Sequence, residues 1–224
     1  MKRLAAFMLL LAEIGGAYAG NGDAERLRAW HAGEKVAEEA VAEYGIDRCF
    51  ASSEIDDALF ARMYGKSYKA DCTVPRSELR YLRVLHRNLA GETLLGELVC
   101  NEAICGDLLD IFRVLYDASY PIERMVLIDE YDAQDGPSMR ANNSSAFNFR
   151  FVAGTGVLSS HSRGMAVDIN PLYNPYVKTN GGRPRKQPLM PTGHGISLTR
   201  SPRTPPAAGS SCATDSPGAA TGKA

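Results

Sequence analysis

No stretch of the 224 residues reaches eighteen consecutive apolar positions, and 25 lysines and arginines are offset by 26 aspartates and glutamates. The first shortage leaves no candidate for a bilayer-spanning helix, and the formal net charge of −1 argues against a polybasic nucleic-acid binder. None of the five cysteines forms a Cys-x-x-Cys pair, so a thiolate zinc site of the usual spacing is not expected. A share of 45% apolar residues is too high for a wholly disordered chain. What remains is one ordinary globular domain with tails, long enough to bury a core.

The N-terminus reads as an export signal over residues 1–19. Lys2 and Arg3 precede the apolar stretch Leu4 to Ala12, and Ala17-Tyr18-Ala19 supplies small residues at −3 and −1 of a cleavage site. A periplasmic or cell-envelope location follows, and with it an oxidising environment. Cys49, Cys72, Cys100 and Cys105 could then close two disulfides in three possible ways, with Cys212 left in the C-terminal tail.

Periodicity outlines several helices, a hairpin and short strands. Leu27, Trp30, Val36, Ala40, Val41 and Tyr44 recur at helical spacing with a break near Gly33. Glu38, Glu39 and Glu43 read as its solvated face. A second helix is expected from Glu54 to Tyr64, with Ser53 and Asp56 as its capping box and Gly65 as its stop. These elements make residues 24–70 an N-terminal helical segment. Leu79 to Leu89 and Thr93 to Val99, separated by Ala90-Gly91-Glu92, read as a hairpin. Leu108, Leu109, Ile111, Phe112, Leu115 and Tyr116 carry a helix that Tyr120-Pro121 ends. Met125 to Asp129 and Met165 to Ile169 are expected as short strands around a polar, loop-rich stretch from Tyr131 to Asn148. Residues 179–224 hold seven prolines, seven glycines and eleven serines or threonines but one acidic residue, a composition that cannot offset the entropy of ordering. They are read as a disordered tail.

The chemistry concentrates between Ser159 and Asp168. His161 and Asp168 are seven apart, which places their backbones about 10 Å apart on a helix and over about 20 Å apart on a straight strand. Two donors on one zinc ion, each about 2 Å from it, must lie roughly 3 to 3.5 Å from one another. The chain must therefore turn back between them, and Gly164 is placed to allow it. A carboxylate inside the apolar run Ala166-Val167-Asp168-Ile169 is costly to bury unpaired, and a cation is one way to compensate it.

The pattern Ser-x-His-x-x-Gly-x-Ala-x-Asp, here Ser159 to Asp168, resembles the zinc signature of the D-alanyl-D-alanine carboxypeptidase family of metallopeptidases. That family also includes L-alanyl-D-glutamate endopeptidases and shares its fold with the hedgehog signalling domain. The likeness extends to Gly96-Glu97-Leu98-Val99, Ile111-Phe112, Tyr120-Pro121-Ile122, Ser138-Met139, Asn142 to Arg150, and Asp168-Ile169-Asn170-Pro171 to Asn174-Pro175-Tyr176. It implies an α+β fold, a small antiparallel sheet with flanking helices, and a peptidase-like domain over residues 71–178 that cleaves peptidoglycan stem peptides. It also implies zinc held by His161, Asp168 and a later histidine, with a catalytic carboxylate three residues before that histidine. An arginine that assists the developing oxyanion is implied too, for which Arg140 and Arg150 are candidates. Ser159 is implied to orient the site or to contact substrate.

The chain departs from the family after Lys178. A Trp-Gly-Gly-Asp-Trp stretch and the segment with base and third ligand are expected there, yet the only histidine downstream of Asp168 is His194, with Pro191 where the carboxylate should be. With suitable codons, residues 212–223 read in a shifted frame as Arg-His-Gly-Phe-Thr-Trp-Gly-Gly-Asp-Trp-Lys. A frameshift between about Asn180 and Pro191 accounts for the departure, and a chain so altered is expected to bind zinc poorly and to turn over little. A non-catalytic peptidoglycan-binding relative is the alternative.

Overall fold

β-Branched and leucine-rich runs on either side of Gly91 build the centre of the molecule, in a computed structural model that describes residues 22–152 and 154–174. The signal segment, Cys212, His194 and the tail from 179 lie outside the described residues. Strands β1 (Ala51–Glu54), β2 (Leu79–Arg87) and β3 (Thr93–Asn101) form one antiparallel sheet in the order β1-β2-β3. β2 and β3 pair over their whole length, from Leu79 opposite Asn101 to Arg87 opposite Thr93. Their turn is tied by Asn88, whose Oδ1 accepts the Ala90 and Glu92 amides, while Gly91 takes a φ of 77°.

Alternation along the strands divides the core. Leu82, Val84, Leu98 and Cys100 face helix α4 (Glu102–Asp117). That helix begins six residues earlier than its leucine pattern suggests, because the Asn101 side chain caps the Ala103 amide. Its Cys105, Leu108, Phe112 and Leu115 recur at helical spacing and complete this cluster. The opposite sheet face meets two smaller clusters. Leu85 and Leu95 pack under α1 (22–29) and α2 (Glu38–Tyr44), while Leu79 and Val99 pack with Leu59 and Met63 of α3 (Asp57–Met63). Between them the buried Glu97 carboxylate receives two bonds from Arg62, at 2.7 and 3.1 Å, and one from Tyr81 at 2.8 Å.

The first predicted helix is indeed broken at Gly33, with residues 30–37 outside helix and Trp30 at a φ of 53°. The second begins later than expected. Asp56, not Ser53, caps α3 by accepting the Leu59 amide, and Ser53 lies in β1. β1 escapes the periodicity argument because Ala51-Ser52-Ser53-Glu54 is an edge strand with little to bury, held by its register on β2. It also makes the N-terminal segment a contributor to the sheet. Glu38 corrects the reading of a purely solvated face: it is bonded to Arg87 at 2.7 Å and to the Thr93 hydroxyl. In this structure none of the expected disulfides is closed, and Cys49, Cys72, Cys100 and Cys105 are each unbonded.

Neither Met125 to Asp129 nor Met165 to Ile169 is a strand. Met125 to Leu127 is irregular and runs into a 3₁₀ turn at Ile128, while Met165 to Ile169 is a loop with one bridge, at Asp168; the reason lies at the outer edge of β3. Its outward-facing groups are satisfied one after another by different loops rather than by a fourth strand. Val36 donates to Thr93, Gly33 to Leu95, and Leu95 to Glu34. Farther along, Glu97 donates to Met125, Phe147 to Val99, and Asn101 to Gly164. The last two contacts hang the chemistry-bearing loops on the sheet.

Candidate metal centre

One extended run, residues 143–148, organises the site. The Phe147 amide fastens it to Val99 of β3 at 2.9 Å. Two residues earlier, Ser145 and Asp168 exchange both backbone bonds, at 3.1 and 2.9 Å, which sets Asp168 beside the run. On its other side the Asn148 amide donates to the His161 carbonyl at 3.1 Å. The loop segments carrying His161 and Asp168 are thus held by neighbouring residues of a single segment.

The return of the chain between them is a short 3₁₀ turn, Ser160–Arg163, closed by Gly164 at a φ of 65°. The Ser159 hydroxyl caps this turn by accepting the His161 amide at 3.3 Å. Ser162 locks it from behind, its buried hydroxyl accepting from the Arg150 amide and donating to the Arg150 carbonyl. Glycine is required at 164 for a second reason. A Cβ there would come within 2.6 Å of the Asn101 nitrogen and 3.0 Å of the Cys100 carbonyl carbon.

With the turn in place, His161 Nε2 lies 3.3 Å from Asp168 Oδ2. His161 Nδ1 is 2.6 Å from the Ala146 carbonyl oxygen. A carbonyl can only accept, so Nδ1 carries a proton and Nε2 is the nitrogen turned to the carboxylate. Burial disfavours the charged imidazole, but the bond and charge of Asp168 together with the Ala146 carbonyl outweigh it, and the His161 pKa is raised. The bond from His161 correspondingly pulls Asp168 below its ordinary value, against the effect of burial. A protonated Nε2 would be an ion-pair partner of the Asp168 carboxylate at the point where both donors converge. Metal binding at such a site releases that proton.

The nitrogen–oxygen separation suits two ligands of one zinc ion, about 3 to 3.5 Å apart. The tie from Nδ1 to a backbone carbonyl is the kind of outer contact that orients a ligating imidazole. Among the described residues no third histidine, cysteine or carboxylate joins the pair. His86 is buried on β2 with its Nδ1 at 2.7 Å from the Ile122 carbonyl, and His31 is exposed beside Glu34.

The two candidate arginines part company. Arg150 donates to Asp135, at 2.7 Å from Oδ2, and its charge acts on both His161 and Asp168. Arg140 is exposed at the end of α5 (Asp135–Arg140) and makes none of the bonds around the pair. Ser159 is buried and engaged as a cap, which makes it a positioning residue for His161. Three contributors escape motif reading: the Ala146 carbonyl, Ser162 and Asp135. For the Ala146 carbonyl the available signal is the density of serines and asparagines in Asn142 to Asn148, too polar to be buried unless each bonds something specific, while Ser162 and Asp135 carry none.

A histidine nitrogen and a carboxylate oxygen converging across a glycine turn offer two donors of the kind that hydrolytic metal sites use. Comparison with known families agrees with that class: residues 153–200 match the model of the D-alanyl-D-alanine carboxypeptidase family. The match includes His161, Gly164 and Asp168, as well as residues beyond 178. No curated protein and no solved structure gives a significant match to the chain. Among the described residues no helix is long and apolar enough to cross a membrane.

Proposed function

We propose that the protein is a zinc-dependent peptidase of peptidoglycan stem peptides, exported to the periplasm or cell envelope, on a hedgehog/DD-peptidase-like fold. The observation that carries this reading is the 3.3 Å approach of His161 Nε2 to Asp168 Oδ2, with Nδ1 committed to Ala146. The family match over the same residues supports it.

In this reading His161 and Asp168 are two of the zinc ligands. Bound zinc supplies a lowered pKa to its water and polarises a scissile carbonyl. The chain's own residues do the rest. Ala146 and the Ser159-capped turn keep His161 in the ligating tautomer, and Ser145 fixes the position of Asp168. Arg150, oriented by Asp135, faces the site with a positive charge available to a developing oxyanion. Arg140, exposed and outside this network, is not assigned that role.

Hydrolysis of purified muropeptides, followed by mass spectrometry with zinc added and then chelated, tests the proposal. Chelator-sensitive release of D-alanine or of a split stem peptide is expected from the frame-restored protein, and no turnover with zinc present refutes it. Since no third ligand joins the pair among the described residues, the chain as written is proposed to be impaired. The same observation favours a second reading, a peptidoglycan-binding relative without turnover. Retention on isolated sacculi with no cleavage by the frame-restored protein distinguishes it.

A further inference from the structure

Sequence leaves three pairings open for Cys49, Cys72, Cys100 and Cys105, and the fold discriminates among them. Cys49 is buried in the cluster under α1 and α2, while Cys72 is half-buried against the α3 cluster. Cys100 and Cys105 alone share a cluster, the one between the sheet and α4. Cys100 points from the end of β3 toward α4. Cys105 lies in the first turns of α4 and points back at the sheet, with the helix cap Asn101 between the two in sequence. Both are buried in that cluster, and the neighbouring Cys105 adds to burial in raising the pKa of the Cys100 thiol.

We propose that Cys100 and Cys105 close an intramolecular disulfide when the chain folds in an oxidising compartment, with an external disulfide, small-molecule or protein-borne, as the oxidant. One cysteine thiolate attacks a sulfur of the external disulfide, expelling the other half as a thiolate. The second cysteine thiolate then attacks the mixed disulfide, so that the Sγ–Sγ bond forms as the mixed bond breaks. Two electrons and the two thiol protons end on the reduced external partner. The finished fold shields both sulfurs, and burial pushes the Cys100 thiol up to about 12. Exchange therefore belongs to the folding chain, while thiolates are still accessible.

The bridge matters for more than stability. It brackets Asn101, whose amide holds the Gly164 carbonyl at 3.0 Å, and Cys100 and Asn101 form the surface on which Gly164 rests. A covalent tie at this strand–helix junction stiffens the bed of the His161 turn. It requires neither zinc nor turnover, so it stands or falls apart from the peptidase reading.

The test is thiol mapping of the full chain, refolded in a mixture of oxidised and reduced glutathione and then denatured in iodoacetamide without further reductant. Trypsin releases Asn88 to Arg113 as one peptide containing both cysteines. The expected result is that this peptide is unalkylated and lighter than the dithiol by two hydrogens, while Cys49 and Cys72 are alkylated. Cleavage after Glu102 should leave its two halves joined until reductant is added. In Cys105→Ala, Cys100 should be alkylated like the others. Full alkylation of both residues in the parent, or a bond from either to another cysteine, overturns the proposal.

Discussion

Gly164 lies against Asn101 so closely that its carbonyl accepts the Asn101 amide at 3.0 Å and a Cβ would stand 2.6 Å from the same nitrogen. The neighbour is backbone at the end of a fully paired strand, so it cannot swing away as a flexible side chain could. Gly164→Ala is therefore expected to destabilise by roughly 2–4 kcal/mol, combining the left-handed φ with the displaced contact. Urea unfolding should show a lower midpoint with an unchanged slope. A loss under about 0.5 kcal/mol, the range of neutral surface changes, would mean that the His161 turn does not rest on this junction.

Arg62 and Glu97 make a second prediction through an asymmetry of burial. The Glu97 side chain is 3% exposed, whereas that of Arg62 is 42% exposed and also reaches Glu130. Removing the arginine leaves a carboxylate stranded inside, with only Tyr81 and the Leu127 amide as donors. Arg62→Ala is expected to cost about 3 kcal/mol, near the low end for a broken buried pair. Glu97→Gln keeps the shape, and water can reach the released guanidinium, so about 1 kcal/mol is expected. Equilibrium unfolding of both variants checks the order, and equal costs would contradict this account.

The elements that could be read from the sequence are those with a period. The β2–β3 hairpin and α4 each bury one residue class at fixed spacing, so Leu82, Leu98, Phe112 and Leu115 announce themselves. His161, Gly164 and Asp168 were legible for a different reason: they stand in a pattern that resembles a family signature, whereas spacing alone asks only that the chain turn back between two donors. The loops along β3 had no such signature. Asn143 shows why: its side chain donates to the Val126 carbonyl and accepts the Val126 amide, replacing a strand partner with one amide group. Nothing in local spacing encodes a contact of that kind. Asp135 was equally silent, because its role depends on Arg150 fifteen residues away.

His86 provides a pH-dependent signature. Its Nδ1–H donates to the Ile122 carbonyl, Nε2 has no partner, and burial lowers its pKa to about 4. An unfolded histidine titrates near 6.5, so between these values the unfolded chain binds the extra proton. Stability is therefore intact above about pH 6.5 and is lost as the pH falls toward 4, by up to roughly 3 kcal/mol from this residue. His86→Asn places an amide donor near the position of Nδ1 and does not titrate. Unfolding measured at intervals from pH 7 to pH 4 should show a difference between parent and variant that shrinks toward the acid end. A constant difference would mean that His86 takes up its proton in the fold as readily as in the unfolded chain.

Zinc linkage is the most direct probe of the proposed centre, because it needs no substrate. A ligand that binds only the folded chain stabilises it in proportion to the logarithm of its concentration, by about 1.4 kcal/mol at ten times its Kd. The frame-restored protein, taken as the parent, is expected to show a thermal midpoint that rises with zinc and returns on chelation, with a smaller rise for the chain as written. Asp168→Asn removes an anionic ligand with little change of shape, and His161→Gln removes the nitrogen that Ala146 orients, so in both the zinc-dependent shift should disappear. Arg140→Ala should retain it in full, since Arg140 makes no bond to the pair. If zinc shifts the Asp168→Asn variant as much as the parent, the ion binds elsewhere and the 3.3 Å approach is an ordinary ion pair. If it shifts the parent and Arg140→Ala but neither ligand variant, the two side chains of the 3.3 Å pair are the ones that hold the cation.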